Sequence, residues 1–303
     1  MTDLARTSDP ARLHQEGVEA FGAGRLEEAA DLMRSAMREA FDPELLNDLA
    51  VVEHQLGRRE SAEGILRTCL GLSPDDTAAR ENLAAIAGGD GVRAAWRGSE
   101  TLGGPDQHLP ERAFPGMPAA NVMQEHAIRY GFALGLVGGM RVLDLGCGTG
   151  YGSEMLSWSA ASVRGFDLWQ PEAHERPKWP GGAELNYGHD LCTNPLPTAD
   201  AAVMFEVIEH LPDAPAALRT AWSSVGLMIT SFPNPVYHGS HMNGYHVNDW
   251  TLDQFEHELA EASKVRFRNV SLTHLHQRLD STLLHPGRAP EQSYWVVVAR
   301  GEL

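Results

Sequence analysis

Cysteine is scarce in this sequence. The chain has three cysteines in 303 residues, Cys69, Cys147 and Cys192, and it has no C-x-x-C pair. This spacing argues against a disulfide framework and against a zinc knuckle. No run of about 18 apolar residues is present to cross a membrane, and the N-terminal stretch MTDLARTSDPARL has no apolar signal region. We therefore expect a soluble, cytoplasmic protein.

Basic charge is also in short supply. The chain has 24 lysines and arginines against 41 aspartates and glutamates, which gives a formal net charge of −17. The arginines are scattered and form no basic run. Because such a field repels the phosphates of nucleic acids, the sequence argues against RNA or DNA as a partner.

The N-terminal third contains one unit written twice. FGAGRLEEAADLMRSAM, from Phe21, recurs as HQLGRRESAEGILRTCL, from His54, at an offset of 33 residues. Each copy has a glycine-marked turn followed by a helix with apolar residues at i, i+3, i+4 and i+7. Pro43 and Pro74 stand where the second helix of each unit must stop. With DDTAARENLAAI as a closing helix, the pattern predicts a small all-α domain over residues 1–88.

This repeat resembles the tetratricopeptide repeat, whose period is about 34 residues. The resemblance implies a groove that binds a peptide or protein partner. The alternative is a module for packing or self-association that supports the rest of the chain. Residues 89–116 are rich in glycine and proline, a composition that predicts a linker to a second domain over residues 117–303.

The second domain opens with a glycine-rich loop. MRVLDLGCGTGYGSEMLSWSA is a short apolar strand, a turn with Gly146, Gly148 and Gly150, and then an amphipathic helix. Lacking a Cβ, these glycines allow a tight turn and the close approach of a ligand. Asp144 precedes them on the strand. The spacing differs from the G-x-G-x-x-G of dinucleotide binders, and the lysine of a phosphate-binding P-loop is missing.

Strands and helices then alternate, which predicts a doubly wound parallel sheet with its ligand at the carboxyl ends of the strands. ASVRGFDLWQ ends a strand at Asp167, where a carboxylate can accept hydrogen bonds from ribose hydroxyls. AELNYGHDLCT ends a strand at Asp190, and AVMFEVIEHL and VGLMITSFPNP supply two more. KVRFRNVSLTHL and SYWVVVARG predict an antiparallel finish. We expect the segment between them, HQRLDSTLLHPGRAPEQ, to be a solvated loop.

Taken together, VLDLGCGTGYGS, FDL, HDL and FEVIEHLPD resemble the motifs of class I S-adenosylmethionine-dependent methyltransferases. The resemblance implies an α/β fold with a doubly wound, seven-stranded Rossmann-like sheet and S-adenosylmethionine as cofactor. It also implies a cofactor role for a set of residues. The methionine end of the cofactor would contact Asp144, Gly146, Gly148 and Gly150, and its ribose would contact Asp167. The adenine would contact Asp190 and Leu191, and the sulfonium side would contact Phe205 and Glu206.

The segment upstream of the glycine loop resembles the helix that precedes it in bacterial members of this family. On that helix His126, Arg129 and Tyr130 are candidates to reach the cofactor carboxylate. The alternative is that they are ordinary residues of a helix surface.

Candidate catalytic residues follow the fourth and fifth strands. A hydroxyl is a poor nucleophile, so its methylation needs a base such as histidine or a divalent metal. FEVIEHL and GYHVNDWT resemble a pattern, E-x-x-E-H with a later H-x-x-x-W-T, that binds a divalent metal in 2′-O-methyltransferases of small-RNA 3′ ends. The matching residues, which imply a site for Mg²⁺ or Mn²⁺, are Glu206, Glu209, His210 and His246.

The histidine-rich stretch leaves alternatives open. His246 is a candidate metal ligand, a candidate general base with His241 and Glu206 beside it, or a structural residue before a helix that Thr251 caps. The sequence predicts an O-methyltransferase for a hydroxyl of a sugar, glycan or specialised metabolite. The alternatives are a 2′-O-methyltransferase of RNA 3′ ends and an adaptor whose repeats recruit a protein substrate.

Overall fold

The structure is a computed structural model, and it describes residues 9–39, 43–72, 76–87, 120–170, 182–238, 246–277, 284–288 and 294–303. The predicted linker lies outside these residues. The helices are α1 (Pro10–Gly22), α2 (Leu26–Glu39), α3 (Pro43–Gln55), α4 (Arg59–Leu72), α5 (Thr77–Ala87), α6 (Ala120–Leu136), α7 (Tyr151–Ser157), α8 (Ala214–Ser224), α9 (Pro235–His238) and α10 (Leu252–Ser263). The strands are β1 (Arg141–Leu145), β2 (Ser162–Asp167), β3 (Glu184–Tyr187), β4 (Ala201–Phe205), β5 (Leu227–Pro233), β6 (Asn269–Gln277), β7 (Leu284–Pro286) and β8 (Tyr294–Glu302).

The first five helices form what we call the helical unit, α1–α5. The turns after α1 and α3 have the same geometry, with Gly24 at φ 76° and Gly57 at φ 78°. In both turns the residue after the glycine donates its N–H to a carbonyl five residues back, as in a Schellman motif. The predicted glycine-marked turns are therefore confirmed, whereas membership of the tetratricopeptide family stays a prediction.

A mixed sheet forms the centre of the second domain. Its strand order is β3-β2-β1-β4-β5-β8-β6-β7, with parallel pairing from β3 to β5 and antiparallel pairing beyond β5. The sheet has eight strands, so the predicted number of seven is wrong by one. The additional strand, β7, lies in the segment predicted to be a solvated loop. Pairing with the edge strand β6 lets Leu284 bury its side chain in the apolar core.

Helices cover both faces of the sheet. On one face α8 and α10 pack around Trp222, which is fully buried and donates its indole N–H to the Leu259 carbonyl at 3.1 Å. The start of α10 carries the predicted cap, because Thr251 and Gln254 form a reciprocal capping box. On the other face lie α6, α7 and the helical unit, whose buried residues belong to one continuous apolar core.

Helix α6 lies between the helical unit and the sheet. Every residue from Ile128 to Val137 is buried, as expected of a helix that is covered on all sides. The predicted alternative that Arg129 and Tyr130 lie on a helix surface is therefore wrong, since their exposed fractions are 0% and 4%. None of the described helices is long and apolar enough to span a bilayer.

Candidate cofactor and acceptor site

The glycine loop joins β1 to α7 through three left-handed residues. The φ angles are 78° at Gly146, 53° at Gly148 and 84° at Gly150. The amides of Gly146 and Cys147 both donate to the Phe166 carbonyl, at 2.7 and 3.1 Å. A Cβ at position 146 would lie 2.3 Å from Cγ2 of Val207. Both the backbone angle and the contact therefore require glycine at position 146.

Asp144 is a buried acid in β1, two residues before Gly146. Its carboxylate accepts hydrogen bonds from the Tyr130 hydroxyl at 3.0 Å and from the Ser153 hydroxyl at 2.6 Å. Burial raises the pKa of Asp144 to about 6, although these two hydrogen bonds act in the opposite direction. The sequence pattern gave no role to Ser153, which lies within the glycine-rich motif itself.

Two further carboxylates follow β2 and β3. Asp167 accepts from the amides of Gly148 at 2.7 Å and Trp169 at 2.8 Å, so it braces the glycine loop. Asp190 accepts from the Cys192 amide and the Thr193 hydroxyl, both at 2.9 Å. These hydrogen bonds lower the pKa of Asp190, and the bond from the Cys192 amide has the largest effect.

Leu191 and Phe205, the two apolar members of the predicted cofactor set, are buried in the core. Leu191 is 5% exposed and Phe205 is 4% exposed. The Phe205 ring meets Tyr130 edge to face, with 5.0 Å between the ring centroids. The predicted cofactor residues therefore converge at the carboxyl ends of β1 to β4, where a doubly wound sheet binds its ligand.

Glu206 has a strained backbone and an engaged carboxylate. Its φ of 53° makes it the one non-glycine residue with positive φ in the described part of the chain. Its Oε1 accepts from Nη1 of Arg129 at 2.9 Å and from the Ser231 hydroxyl at 2.7 Å. The Arg129 guanidinium stacks on the Tyr294 ring at 4.5 Å. Strain of this kind persists only where its surroundings hold it in place.

Three of the four predicted metal ligands come together. Each of Glu209, His210 and His246 offers one ligand atom, and these atoms all lie within 4.8 Å of one another. The rings of His210 and His246 meet edge to face at 4.9 Å. The fourth predicted ligand, Glu206, is not in this cluster, because its carboxylate bonds Arg129 and Ser231. His241 lies outside the described residues.

Asn248, to which the sequence pattern gave no role, fixes the position of His246. Its side-chain amide donates to the carbonyls of Ile208 at 3.0 Å and Leu211 at 2.6 Å. The backbone amides of Val247 and Asn248 both donate to the Glu209 carbonyl, at 2.8 and 3.0 Å. These four bonds fasten the segment after β5 to the turn that follows β4, so that His246 lies beside His210.

Asn248→Ala is expected to lower the free energy of unfolding by about 2 kcal/mol, because it removes two hydrogen bonds to backbone carbonyls. The Ile208 carbonyl keeps a second, longer bond from the Leu211 amide at 3.3 Å. Urea denaturation of the full chain measures this change. Asn269→Ala, at an exposed position, is the matched control. Equal stability of the two variants would contradict a stabilising role for the hydrogen bonds of the Asn248 side chain.

The helix before the loop adds a histidine to the site. Nδ1 of His126 lies 2.7 Å from the Tyr151 hydroxyl. Burial, together with the charge of Arg129, lowers the pKa of His126 well below its usual value. This histidine is therefore neutral at physiological pH.

Comparisons with known proteins identify the family of the second domain. A family model described as a methyltransferase domain matches residues 123–282, which is more than half of the chain. A probable S-adenosylmethionine-dependent methyltransferase of Mycolicibacterium smegmatis is 32% identical over 149 residues, covering 45% of this chain and 57% of that protein. Another, of Mycobacterium tuberculosis, is 28% identical over 188 residues, covering 58% of this chain and 68% of that protein.

A third relative is a ubiquinone biosynthesis O-methyltransferase of Xanthomonas axonopodis. It is 34% identical over 92 residues, covering 28% of this chain and 38% of that protein. The chain thus spans less than two thirds of the M. smegmatis and Xanthomonas relatives. The matched region contains the glycine loop and the strand ends described above, and the chain belongs to the family of S-adenosylmethionine-dependent methyltransferases.

Proposed function

We propose that this chain transfers a methyl group from S-adenosylmethionine to a hydroxyl of a sugar, glycan or specialised metabolite. The observation that carries the proposal is the cluster of Glu209, His210 and His246. The turn after β4 that holds Glu209 and His210 also contacts the glycine loop, through Val207 and Gly146. A neutral amine can attack the sulfonium before it loses a proton, whereas a hydroxyl is a poor nucleophile until a base or a metal helps to remove its proton. The similarity to the Xanthomonas relative, which is named an O-methyltransferase, favours the same chemistry.

The residues present suit the cofactor. A Cβ at Gly148 would meet no atom within 4 Å, which leaves room above the loop for the methionine end. Asp167 and Asp190 each keep acceptor capacity for ribose hydroxyls and for the adenine edge, because a carboxylate has about four lone-pair sites. Arg129 has two buried N–H groups, Nε and Nη2, without a hydrogen-bond partner in the described ranges. We assign them to the cofactor carboxylate.

The bound cofactor supplies a methyl group on a sulfonium, which is already activated for in-line displacement. The protein then has to orient the acceptor oxygen and remove its proton. Where no metal is bound, His246 and His210 are the bases within this cluster. Glu206, held by Arg129 and Ser231, orders the backbone at the end of β4.

The ligand chemistry of the cluster suits a divalent transition metal. Two imidazole nitrogens and one carboxylate fit Mn²⁺ or Zn²⁺ better than Mg²⁺, which prefers oxygen ligands. When bound there, the metal would lower the pKa of the acceptor hydroxyl. Glu209, His210 and His246 would hold it.

Calorimetric titration of Mn²⁺ and Mg²⁺ into the protein saturated with S-adenosylhomocysteine tests the metal. We expect saturable Mn²⁺ binding that weakens about tenfold or more in His246→Ala. His257→Ala, which removes an exposed imidazole from α10, should bind as the wild type does. If the wild type binds neither Mn²⁺ nor Mg²⁺, nor Zn²⁺ in a third titration, the metal is refuted and His246 remains as the candidate base.

The acceptor is tested by transfer of a tritiated methyl group to a panel of sugars, glycans, phenols and RNA 3′ ends. Transfer to sugars or glycans supports the proposal. Transfer to RNA, with the steep salt dependence of phosphate binding, would replace it by the RNA-end alternative. A protein substrate recruited by the helical unit is a further proposal, which capture of a partner by the full chain would support.

A further inference from the structure

A buried ion pair lies inside the helical unit. Glu53 of α3 is 1% exposed, and its Oε1 accepts from Nη2 of Arg34, on α2, at 2.5 Å. Nη1 of Arg58 approaches the same oxygen at 3.4 Å, and Arg58 also pairs with Glu27 at the surface. The Arg34 side chain is only 15% exposed. Removing Arg34 would therefore leave the buried Glu53 carboxylate with the longer contact to Arg58 alone.

Arg34 also contacts the methyltransferase domain. A Cβ at Gly138, in the turn between α6 and β1, would lie 3.0 Å from Nε and 3.2 Å from Cδ of Arg34. The next residue, Gly139, donates its amide to the Ser159 carbonyl at 2.8 Å. The ion pair of the helical unit therefore lies directly against the turn that leads into β1.

The apolar contacts extend this interface. Helices α2 and α4 both pack on α6, and α4 also reaches α7. The buried residues of α2 and α4 share one core with Ile128, Phe132 and Leu136 of α6 and with Leu156 of α7. Burying this much of α6 stabilises it at one orientation, because close-packed interiors tolerate little displacement.

The other side of α6 faces the cofactor site. Tyr130 donates to Asp144 and Arg129 donates to Glu206. Gly152 of α7 lies against the Tyr130 ring, since a Cβ there would be 2.0 Å from it. Helix α6 therefore has the helical unit on one side and, on the other, one hydrogen bond to β1 and one to the residue that follows β4.

We infer that the helical unit is a structural component of the cofactor site and that Arg34 is a positioning residue which acts on Asp144 through α6. A tethered adaptor would need no such contact. The inference rests on the proposed role of Asp144 at the methionine end of the cofactor. The faces of α2 and α4 that cover α6 and α7 are buried in this arrangement. A partner of the helical unit would therefore bind another of its surfaces.

Calorimetric titration of S-adenosylhomocysteine into the full chain tests this inference, well below the midpoint of thermal unfolding. We expect the Kd to rise about three- to thirtyfold in Arg34→Met and in Gly138→Val. The second variant keeps both charges and displaces Arg34 by the added side chain, so it guards against a folding failure of the first. Arg34→Lys, which keeps a cation beside Glu53, should recover part of the affinity.

Matched controls separate positioning from stability. Arg59→Met removes an exposed arginine that pairs with Glu63 on α4, and Gly226→Ala adds a Cβ that meets no atom within 4 Å. Both should keep the wild-type Kd. An unchanged Kd in Arg34→Met and Gly138→Val, with only a lower unfolding temperature, would overturn the inference while leaving the proposed function intact.

A double-mutant cycle supplies a second, independent test. Tyr130→Phe removes the hydroxyl that bonds Asp144, so Arg34→Met should weaken binding much less in this background than in the wild type. Distant sites that do not communicate have additive effects on the binding free energy. Additivity would therefore refute coupling through α6, and failure of the wild type to bind S-adenosylhomocysteine would refute the cofactor assignment as well.

Discussion

Gly146→Ala is expected to abolish binding of S-adenosylhomocysteine, with a Kd at least about 100-fold above the wild-type value. Two effects add. An alanine at φ 78° adopts a strained backbone, and its Cβ would lie 2.3 and 2.9 Å from the two methyl carbons of Val207. Valine is stiff at χ1 and cannot turn both methyls away. Relief requires a shift of the backbone at the end of β4, next to Glu206.

The two effects can be separated by calorimetry on two further variants. Gly148→Ala has the strained angle without a clash with the protein. Its Cβ enters the space that we assign to the methionine end, so its loss of affinity is an upper limit for the effect of the angle alone. Gly146→Ala combined with Val207→Ala removes the clash and should recover part of the binding. Wild-type affinity in Gly146→Ala would show that the loop does not hold the cofactor as we propose.

The local parts of the site could be predicted from the sequence because short-range backbone geometry determines them. Gly146, Gly148 and Gly150 follow a strand and precede a helix within a few residues. Three residues with left-handed φ angles at that spacing leave few alternative conformations for the loop between β1 and α7. The same reasoning explains why the turns at Gly24 and Gly57 were predicted from one repeat.

Contacts between distant segments could not be predicted in the same way. Glu206 turns toward Arg129, 77 residues earlier in the chain, and this pairing removes it from the cluster to which the motif assigned it. Asn248 bonds carbonyls 37 and 40 residues away. Every residue has a backbone carbonyl, so a pattern of side chains could not identify which carbonyls Asn248 bonds. The metal and catalytic roles of these residues stay predictions.

Asp144→Asn is expected to stabilise the protein at pH 8 while weakening S-adenosylhomocysteine binding. The pKa of the buried carboxyl is raised from 3.8 to about 6, so the folded state binds its proton more tightly than the unfolded state does. Above pH 6 the group is charged in both states, and burying that charge costs about 3 kcal/mol. Asparagine carries no charge, so the variant should regain up to about this amount, less any loss from its two hydrogen bonds.

The sign of the effect fixes its pH dependence. As the pH falls through 6 toward 3.8, Asp144 takes up its proton in the folded state first, and the cost disappears. The stability difference between Asp144→Asn and the wild type should therefore be largest at pH 8 and shrink to about half at pH 5. Urea denaturation of both proteins at the two pH values measures it.

Asp200→Asn is the control with the opposite sign. Arg141 hydrogen-bonds the carboxylate of Asp200 and lowers its pKa to about 2, so this group stabilises the folded state above its unfolded pKa of 3.8. That contribution is lost as the pH falls through 2. The Asp200 variant should therefore be less stable than the wild type at pH 8, where the Asp144 variant is more stable. If Asp144→Asn instead destabilised the protein at both pH values, the hydrogen bonds from Tyr130 and Ser153 would contribute more to stability than the burial of the charge costs. Asp144 would then stabilise the fold in addition to its proposed role in binding the cofactor.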